Sequence, residues 1–270
     1  MSNLVQRILS AIVLIPVVLA LIIWAPAHAF ACFIALIAAL AGFEFGDITI
    51  GREFPGHRFL VATLAAMICA GIYLSTEFTL APLIAVVLVV PAASVSFMLD
   101  KSDLSRSVPA AAHSIAGALY AGALFGCITL IFATADPFGR YWVILLAAGT
   151  FVGDTMAYAC GRAFGKRKLA PRISPGKTWA GAVGGGIGTM GCVALAKATL
   201  LPGLEWIDIV LLGVPLAAAC QFGDLAESFV KRGFGAKDSG RLIPGHGGIL
   251  DRCDGLMMGA PVVYLFSFLR

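Results

Sequence analysis

Apolar residues in this chain come in unbroken runs of about 17 to 25 positions, without the strict alternation of a half-buried strand. The runs lie near 8–24, 28–45, 58–75, 78–99, 110–133, 142–164, 179–200, 207–230 and 251–269. Each is long enough for a helix to cross the hydrocarbon core of a bilayer, so the pattern predicts an all-α polytopic bundle of about nine transmembrane helices. Continuous runs argue against a β-barrel, whose strands alternate lipid-facing and lumen-facing residues. The last purely apolar stretch, from 255, is short, which places the start of its helix back near Asp251.

Composition agrees with a membrane setting. The set AVILMFWYC makes up 60% of the 270 residues, charged residues only 13%, and the mean hydropathy is +0.94. The net charge of +4 is small and the basic residues cluster in loops, so no nucleic-acid partner is expected. With a cytoplasmic N-terminus, all of the 19 Lys and Arg except Arg140, Lys197 and Arg270 fall on the cytoplasmic side. That bias assigns the loops 162–177 and 231–252 to the cytosol and predicts a multi-pass protein of the cell (inner) membrane. Arg7, the first run and Ala27-His28-Ala29 imitate a signal peptide. The run is long for a leader, and a second follows at once, which predicts a membrane hairpin instead.

Several local patterns carry no chemistry. Cys32, Cys69, Cys127, Cys160, Cys192, Cys220 and Cys253 are scattered without a CxxC pair, so neither a metal cage nor a disulfide framework is expected. His28, His57 and His113 stand alone and read as interfacial or packing residues. Gly186-Ile187-Gly188-Thr189-Met190-Gly191 satisfies GxGxxG, but it lies inside an apolar run with no strand before it. Together with Gly181, Gly184 and Gly185 it supplies small-xxx-small spacings for close helix packing. Gly176-Lys177-Thr178 imitates the end of a Walker A loop, yet Pro171 stands where the first glycine belongs.

Polar residues within spans are more informative, because an ionisable group near mid-bilayer costs about 2.5–3.5 kcal/mol on insertion scales. Near the end of the eighth run, Asp224, Glu227 or Ser228, and Lys231 recur at spacings of three and four and share one helix face. Either this seam lines a site, or its charges pair internally. Lys237, Asp238, Arg241, His246, Asp251, Arg252 and Asp254 follow within a glycine-rich segment. Glycine N–H groups with Lys and Arg suit a phosphate. The carboxylates would repel it by about 4 kcal/mol per charge pair at 4 Å and an effective dielectric of 20. A hard divalent cation resolves that conflict, and Mg²⁺ is expected over Zn²⁺. Asp224 and Asp251, on the helices flanking the segment, are the expected ligands, with Asp254 and the intramembrane Asp154 as auxiliaries. Ser174, Lys177 and Thr178 read as a loop before a helix, placed to hold phosphate oxygens. The chain is thus expected to divide into an N-terminal multispan region, 1–135, and a C-terminal catalytic region, 136–270, whose polar cleft faces the cytoplasm.

Ser228-Phe229-Val230-Lys231-Arg232, then Lys237-Asp238, then Pro244-Gly245-His246-Gly247-Gly248-Ile249-Leu250-Asp251-Arg252-Cys253-Asp254 resembles the C-terminal signature of the phosphatidate cytidylyltransferases, or CDP-diacylglycerol synthases. Gly153-Asp154-Thr155, Ser174-Pro175-Gly176-Lys177-Thr178-Trp179 and Gln221-Phe222-Gly223-Asp224-Leu225-Ala226-Glu227-Ser228 are similar to that family in the same order. Cys253 departs from the aliphatic residue or Thr usual there, and Ala180 from the polar residue that often follows the tryptophan.

The resemblance implies a nucleotidyltransferase of phospholipid biosynthesis, in which phosphatidate attacks the α-phosphorus of CTP in line to give CDP-diacylglycerol and pyrophosphate, with Mg²⁺ and room for a second cation. On that reading Lys231, Lys237 and Arg241 neutralise phosphates, and His246 either assists the leaving pyrophosphate or fixes the glycine loop. Ser174, Lys177, Thr178, Ser228, Arg232 and Asp238 contact substrate. The expected partners are phosphatidate, CTP, the bilayer and a second copy of the chain in a homodimer. Two alternatives differ in outcome: a CTP-dependent polyprenol or phytol kinase would release CDP, and a transporter would show more midplane charge and an internal repeat.

Overall fold

The structure is a computed structural model that describes residues 3–100, 102–134, 137–240, 242 and 247–270, with side chains from Ile12 onward. Its helices are α1 (Asn3–Trp24), α2 (Ala27–Thr49), α3 (His57–Tyr73), α4 (Ala81–Met98), α5 (Leu104–Ala133), α6 (Phe138–Phe164), α7 (Trp179–Thr199), α8 (Asp208–Gly233) and α9 (Leu250–Leu269). Among the described residues, the seven from α2 to α8 are long and apolar enough to cross a membrane. In α1 the described apolar stretch is only Ile12–Trp24, and the first turns of α9 carry Asp251, Arg252 and Asp254. The nine apolar runs all become helices, and among the described residues seven of them are long and apolar enough to span.

Helices extend beyond the apolar runs where polar residues start them. Helix α5 begins at Leu104 rather than near 110, because Asp103 accepts the Ser105 N–H at 3.1 Å and the Ser105 hydroxyl at 2.9 Å. Those donors hold the Asp103 carboxyl below the usual carboxylate range.

The all-α expectation needs one correction. Strand β1 (Lys168–Ala170) pairs antiparallel with β2 (Ser174–Thr178), setting Lys168 opposite Thr178 and Ala170 opposite Ser174 across a local irregularity. The segment expected as a loop at 174–178 is thus a strand, and the Trp179 N–H extends the pairing to the Arg167 carbonyl at 3.1 Å. Pro175 is tolerated because both strands of a two-stranded sheet are edges.

Two compact units make up the chain, residues 1–133 with 234–252, and residues 134–233 with 253–270. In the first, Leu64 and Ile68 of α3 pack with Val89 and Ala93 of α4 and Ala118 of α5. The three isolated histidines are packing groups here, as expected: His57 stacks on Phe97 at 4.0 Å, His113 meets Phe234 edge-on at 5.1 Å, and His28 shares a 2.8 Å hydrogen bond with the Tyr73 hydroxyl.

The second unit is built on a glycine contact. A Cβ on Gly181 of α7 would stand 2.7 Å from the Ala157 carbonyl of α6, and one on Gly185 would stand 3.0 Å from the Gly153 carbonyl. Gly186 and Gly191 face open space. Of the GxGxxG glycines only Gly188 is packed, where a Cβ would stand 2.8 Å from Met156 Cγ of α6, so close helix packing rests on Gly181, Gly185 and Gly188 rather than on the whole pattern. At the end of this unit away from the hairpin, Arg270 Nη2 donates to buried Asp208 at 2.6 Å and Lys197 Nζ to the Leu204 carbonyl at 2.7 Å. These are two of the three basic residues that the charge bias sets apart from the rest. All seven cysteines are free thiols.

Candidate functional site

The second unit gathers its polar groups at the hairpin end. Asp154 lies ten residues before the end of α6 and Asp224 nine before the end of α8, about 15 and 13 Å along their helices, and Asp254 sits in the opening turns of α9. Helices α8 and α9 approach closely at this level, since a Cβ on Gly223 would stand 2.9 Å from the Asp254 carbonyl carbon and from Met258 Cβ. Asp154, Asp224 and Asp254 lie near enough for their charges to act on one another. Asp154 is exposed in the middle of an apolar helix and also lines a small cavity with Thr150, Thr189 and Gln221. A carboxylate left open in a span marks a polar pathway or site rather than lipid contact.

Lys177 of β2 supplies the opposite charge. Its Nζ stands 2.8 Å from Asp224 Oδ2 and donates to the Gln221 carbonyl at 3.4 Å. The Ser228 hydroxyl reaches the other Asp224 oxygen at 3.3 Å, so both oxygens of this carboxylate have partners. Ser174 sits on the same strand, half-buried. Thr178 is buried, and its hydroxyl caps α7 by accepting the Gly181 N–H at 3.1 Å. The cap uses Thr178 as an acceptor and leaves its hydroxyl proton available to donate.

The seam expected on α8 is present and holds both readings at once. Asp224 and Ser228 contact each other, while Lys231 pairs with Glu227 at 2.5 Å, the two side chains 9% and 2% exposed. Internal pairing therefore claims Lys231 in this structure. Arg232, Lys237 and Asp238 are exposed. Arg241 and His246 lie outside the described residues.

In the first unit, the glycine-rich segment does something the sequence does not announce. The N–H groups of Ile249 and Leu250 donate to Glu44 of α2, at 3.1 and 2.8 Å. Those of Ser239 and Gly248 donate to Asp251 Oδ2, at 2.9 and 3.3 Å. The expectation that these backbone groups receive a phosphate is corrected for 248–250: protein carboxylates already take them. Glu44 was invisible as a site residue because it stands alone in an apolar run, about two hundred positions from its partners. A lone intramembrane glutamate is the signal that would have pointed to it.

Carboxylates supply hard oxygen donors in both units, and the buried Cys220 thiol lines the same small cavity as Asp154. Among the described residues no three of His, Cys, Asp and Glu form a ready cation cage. The second unit's cluster sets three carboxylates, Asp154, Asp224 and Asp254, against the nearby Lys177. Such a surplus of negative charge suits a hard divalent cation and repels phosphate without one.

Comparison with known proteins covers nearly the whole chain. The model of the Cytidylyltransferase family matches residues 5–269. The chain is 39% identical over 269 residues to a phosphatidate cytidylyltransferase of Brucella abortus, spanning 99% of this chain and 94% of that one. It is 34% identical to the phosphatidate cytidylyltransferase of Haemophilus influenzae, over 97% and 98% of the two chains. A protein of the same name from Thermotoga maritima is 32% identical over 98% and 96%.

Proposed function

The chain belongs to the cytidylyltransferase family and is a nucleotidyltransferase, and we propose that it converts CTP and phosphatidate into CDP-diacylglycerol and pyrophosphate. The observation that carries this reading is end-to-end similarity to proteins named for that reaction. The charge pattern of the second unit supports it, because carboxylates set one to three turns inside membrane helices with a lysine beside them suit an anionic lipid meeting a nucleotide. The kinase alternative gains nothing from these relatives.

In the proposed reaction a phosphate oxygen of phosphatidate attacks the α-phosphorus of CTP. A new P–O bond forms, the bond to the bridging oxygen of the β-phosphate breaks, and pyrophosphate carries away the electron pair. Asp224 would hold Mg²⁺, with Asp154 and Asp254 beside it, and Asp251 is likewise proposed as a cation ligand. When bound, Mg²⁺ supplies charge neutralisation at the phosphates. Lys177 moves between Asp224 and a substrate phosphate, Ser174 and Ser228 donate hydrogen bonds, and Lys231, Lys237 and Arg241 lower the phosphate charge. The side chains thereby contribute positioning and electrostatics rather than a covalent intermediate. The site is proposed to open to the cytoplasm.

Purified protein in detergent, supplied with CTP, phosphatidate and Mg²⁺, is expected to yield CDP-diacylglycerol and pyrophosphate by mass spectrometry. CDP together with a phosphorylated alcohol would overturn the proposal.

A further inference from the structure

We infer that Glu44 is a positioning residue: a built-in anion that fixes Ser239 and the 249–250 backbone and, through Ser239, sets the orientation of Asp251. The inference rests on the proposed role of Asp251 in the reaction.

Helix α9 has no local residue able to cap it, since Gly248 and Ile249 precede Leu250 where Ser, Thr, Asp or Asn would normally stand. Glu44, 2% exposed, takes over that task from α2 and receives the Ile249 N–H on Oε1 and the Leu250 N–H on Oε2. An acceptor-only carboxylate at a helix N-terminus matches both the unpaired donors and the dipole. Its third donor is the Ser239 hydroxyl, at 3.0 Å from Oε2.

Ser239 then connects Glu44 to Asp251. A hydroxyl has one proton, and Glu44 takes it, so the Ser239 lone pairs are left to accept the Asp251 N–H at 3.2 Å. The Ser239 N–H in turn donates to Asp251 Oδ2 at 2.9 Å. Serine and aspartate thus reproduce a capping box, with the hydroxyl supplied from nine residues upstream of Gly248 rather than from the capping position itself. Without Glu44 the hydroxyl is free to turn its proton to Asp251 and change what that carboxylate can bind.

The glycines of the segment are shaped to this arrangement. A Cβ on Gly240 would stand 2.8 Å from Glu44 Cδ, and one on Gly248 would stand 2.6 Å from Glu44 Oε2 and 2.8 Å from the Gly240 nitrogen. Neither position tolerates a side chain while Glu44 is in place. Gly240 and Gly248 therefore make room for a protein carboxylate.

Two variants test the inference, Glu44→Gln, which puts an NH₂ donor against other donors, and Ser239→Ala, which removes the link. In each, hydrogen exchange of the Ser239 amide and of the 248–251 amides in substrate-free protein is expected to accelerate about tenfold while α3 and α5 are unchanged. The kcat should fall about tenfold with KM for CTP within about twofold, and the double variant should be no worse than the more affected single one. Unchanged exchange, additive losses, or unaltered kcat per folded enzyme in both variants would overturn the inference. If Glu44→Gln does not accumulate folded, Ser239→Ala decides by the same readouts. Exchange needs no substrate, so its failure counts against the placement of Glu44, whereas a wild-type protein that makes no CDP-diacylglycerol counts against the proposed reaction.

Discussion

Lys177 Nζ stands 2.8 Å from Asp224 Oδ2, joining the strand that precedes α7 to the middle of α8. With side chains 22% and 41% exposed, this pair is open enough for solvent screening to limit its worth to fold stability to about 1 kcal/mol or less. Lys177→Met is therefore expected to leave thermal unfolding in detergent nearly unchanged. Its kcat/KM should fall at least about tenfold, because the proposed phosphate partner is lost. A marked stability loss with normal turnover would reassign the pair to structure.

The Lys231–Glu227 pair predicts the opposite balance. Its side chains are 9% and 2% exposed, so removing one partner strands a buried charge. Lys231→Met alone should destabilise by about 3–5 kcal/mol, and Lys231→Met with Glu227→Leu should recover most of that. Turnover of the stable double variant separates roles: a deficit of about tenfold or more marks Lys231 as a phosphate partner, and normal turnover makes the pair purely structural.

Glycines of α7 give a test of the GxGxxG pattern. Gly181→Ala forces a Cβ onto the Ala157 carbonyl, at 2.7 Å in the present packing, and should cost about 1–3 kcal/mol. Gly186→Ala and Gly191→Ala meet nothing within 4 Å and should be neutral or gain up to about 1 kcal/mol from helix propensity. CTP affinity should be unchanged in both of the latter, as measured by KM. A raised KM at Gly186 would revive nucleotide binding by the pattern.

What the sequence made legible follows from the kind of signal each element carries. Helices α2 to α8 were visible because lipid demands a continuous apolar run, a rule with few exceptions. The polar start of α5 and the hairpin at 168–178 were missed because one depends on a cap and the other on pairing between two short polar strands. Asp224, Ser228, Glu227 and Lys231 were legible through helical spacing, which predicts neighbours on one face. Glu44 was not, since its partners Ser239, Ile249 and Leu250 lie far along the chain and only folding brings them together. The same distance explains why the glycines near 248 looked like a phosphate loop: an open backbone is recognisable in sequence, but its occupant is not.

Charge arithmetic supports a last prediction. Counted with every carboxyl ionised, Asp154, Asp224 and Asp254 against Lys177 give a formal surplus of two negative charges, and each like-charge pair with a phosphate costs about 4 kcal/mol at 4 Å and an effective dielectric of 20. Lys177 alone does not offset that surplus against a triphosphate, so turnover should fall to background in a chelator and return with Mg²⁺. Asp224→Ala should raise the Mg²⁺ concentration for half-maximal rate at least about tenfold, since it removes a direct ligand. Asp208→Ala, at the far end of the same helix, is the control and should leave Mg²⁺ dependence unaltered while lowering stability, because it strips Arg270 of its 2.6 Å partner. Retained turnover in Asp224→Ala with wild-type Mg²⁺ dependence would remove Asp224 from the metal site.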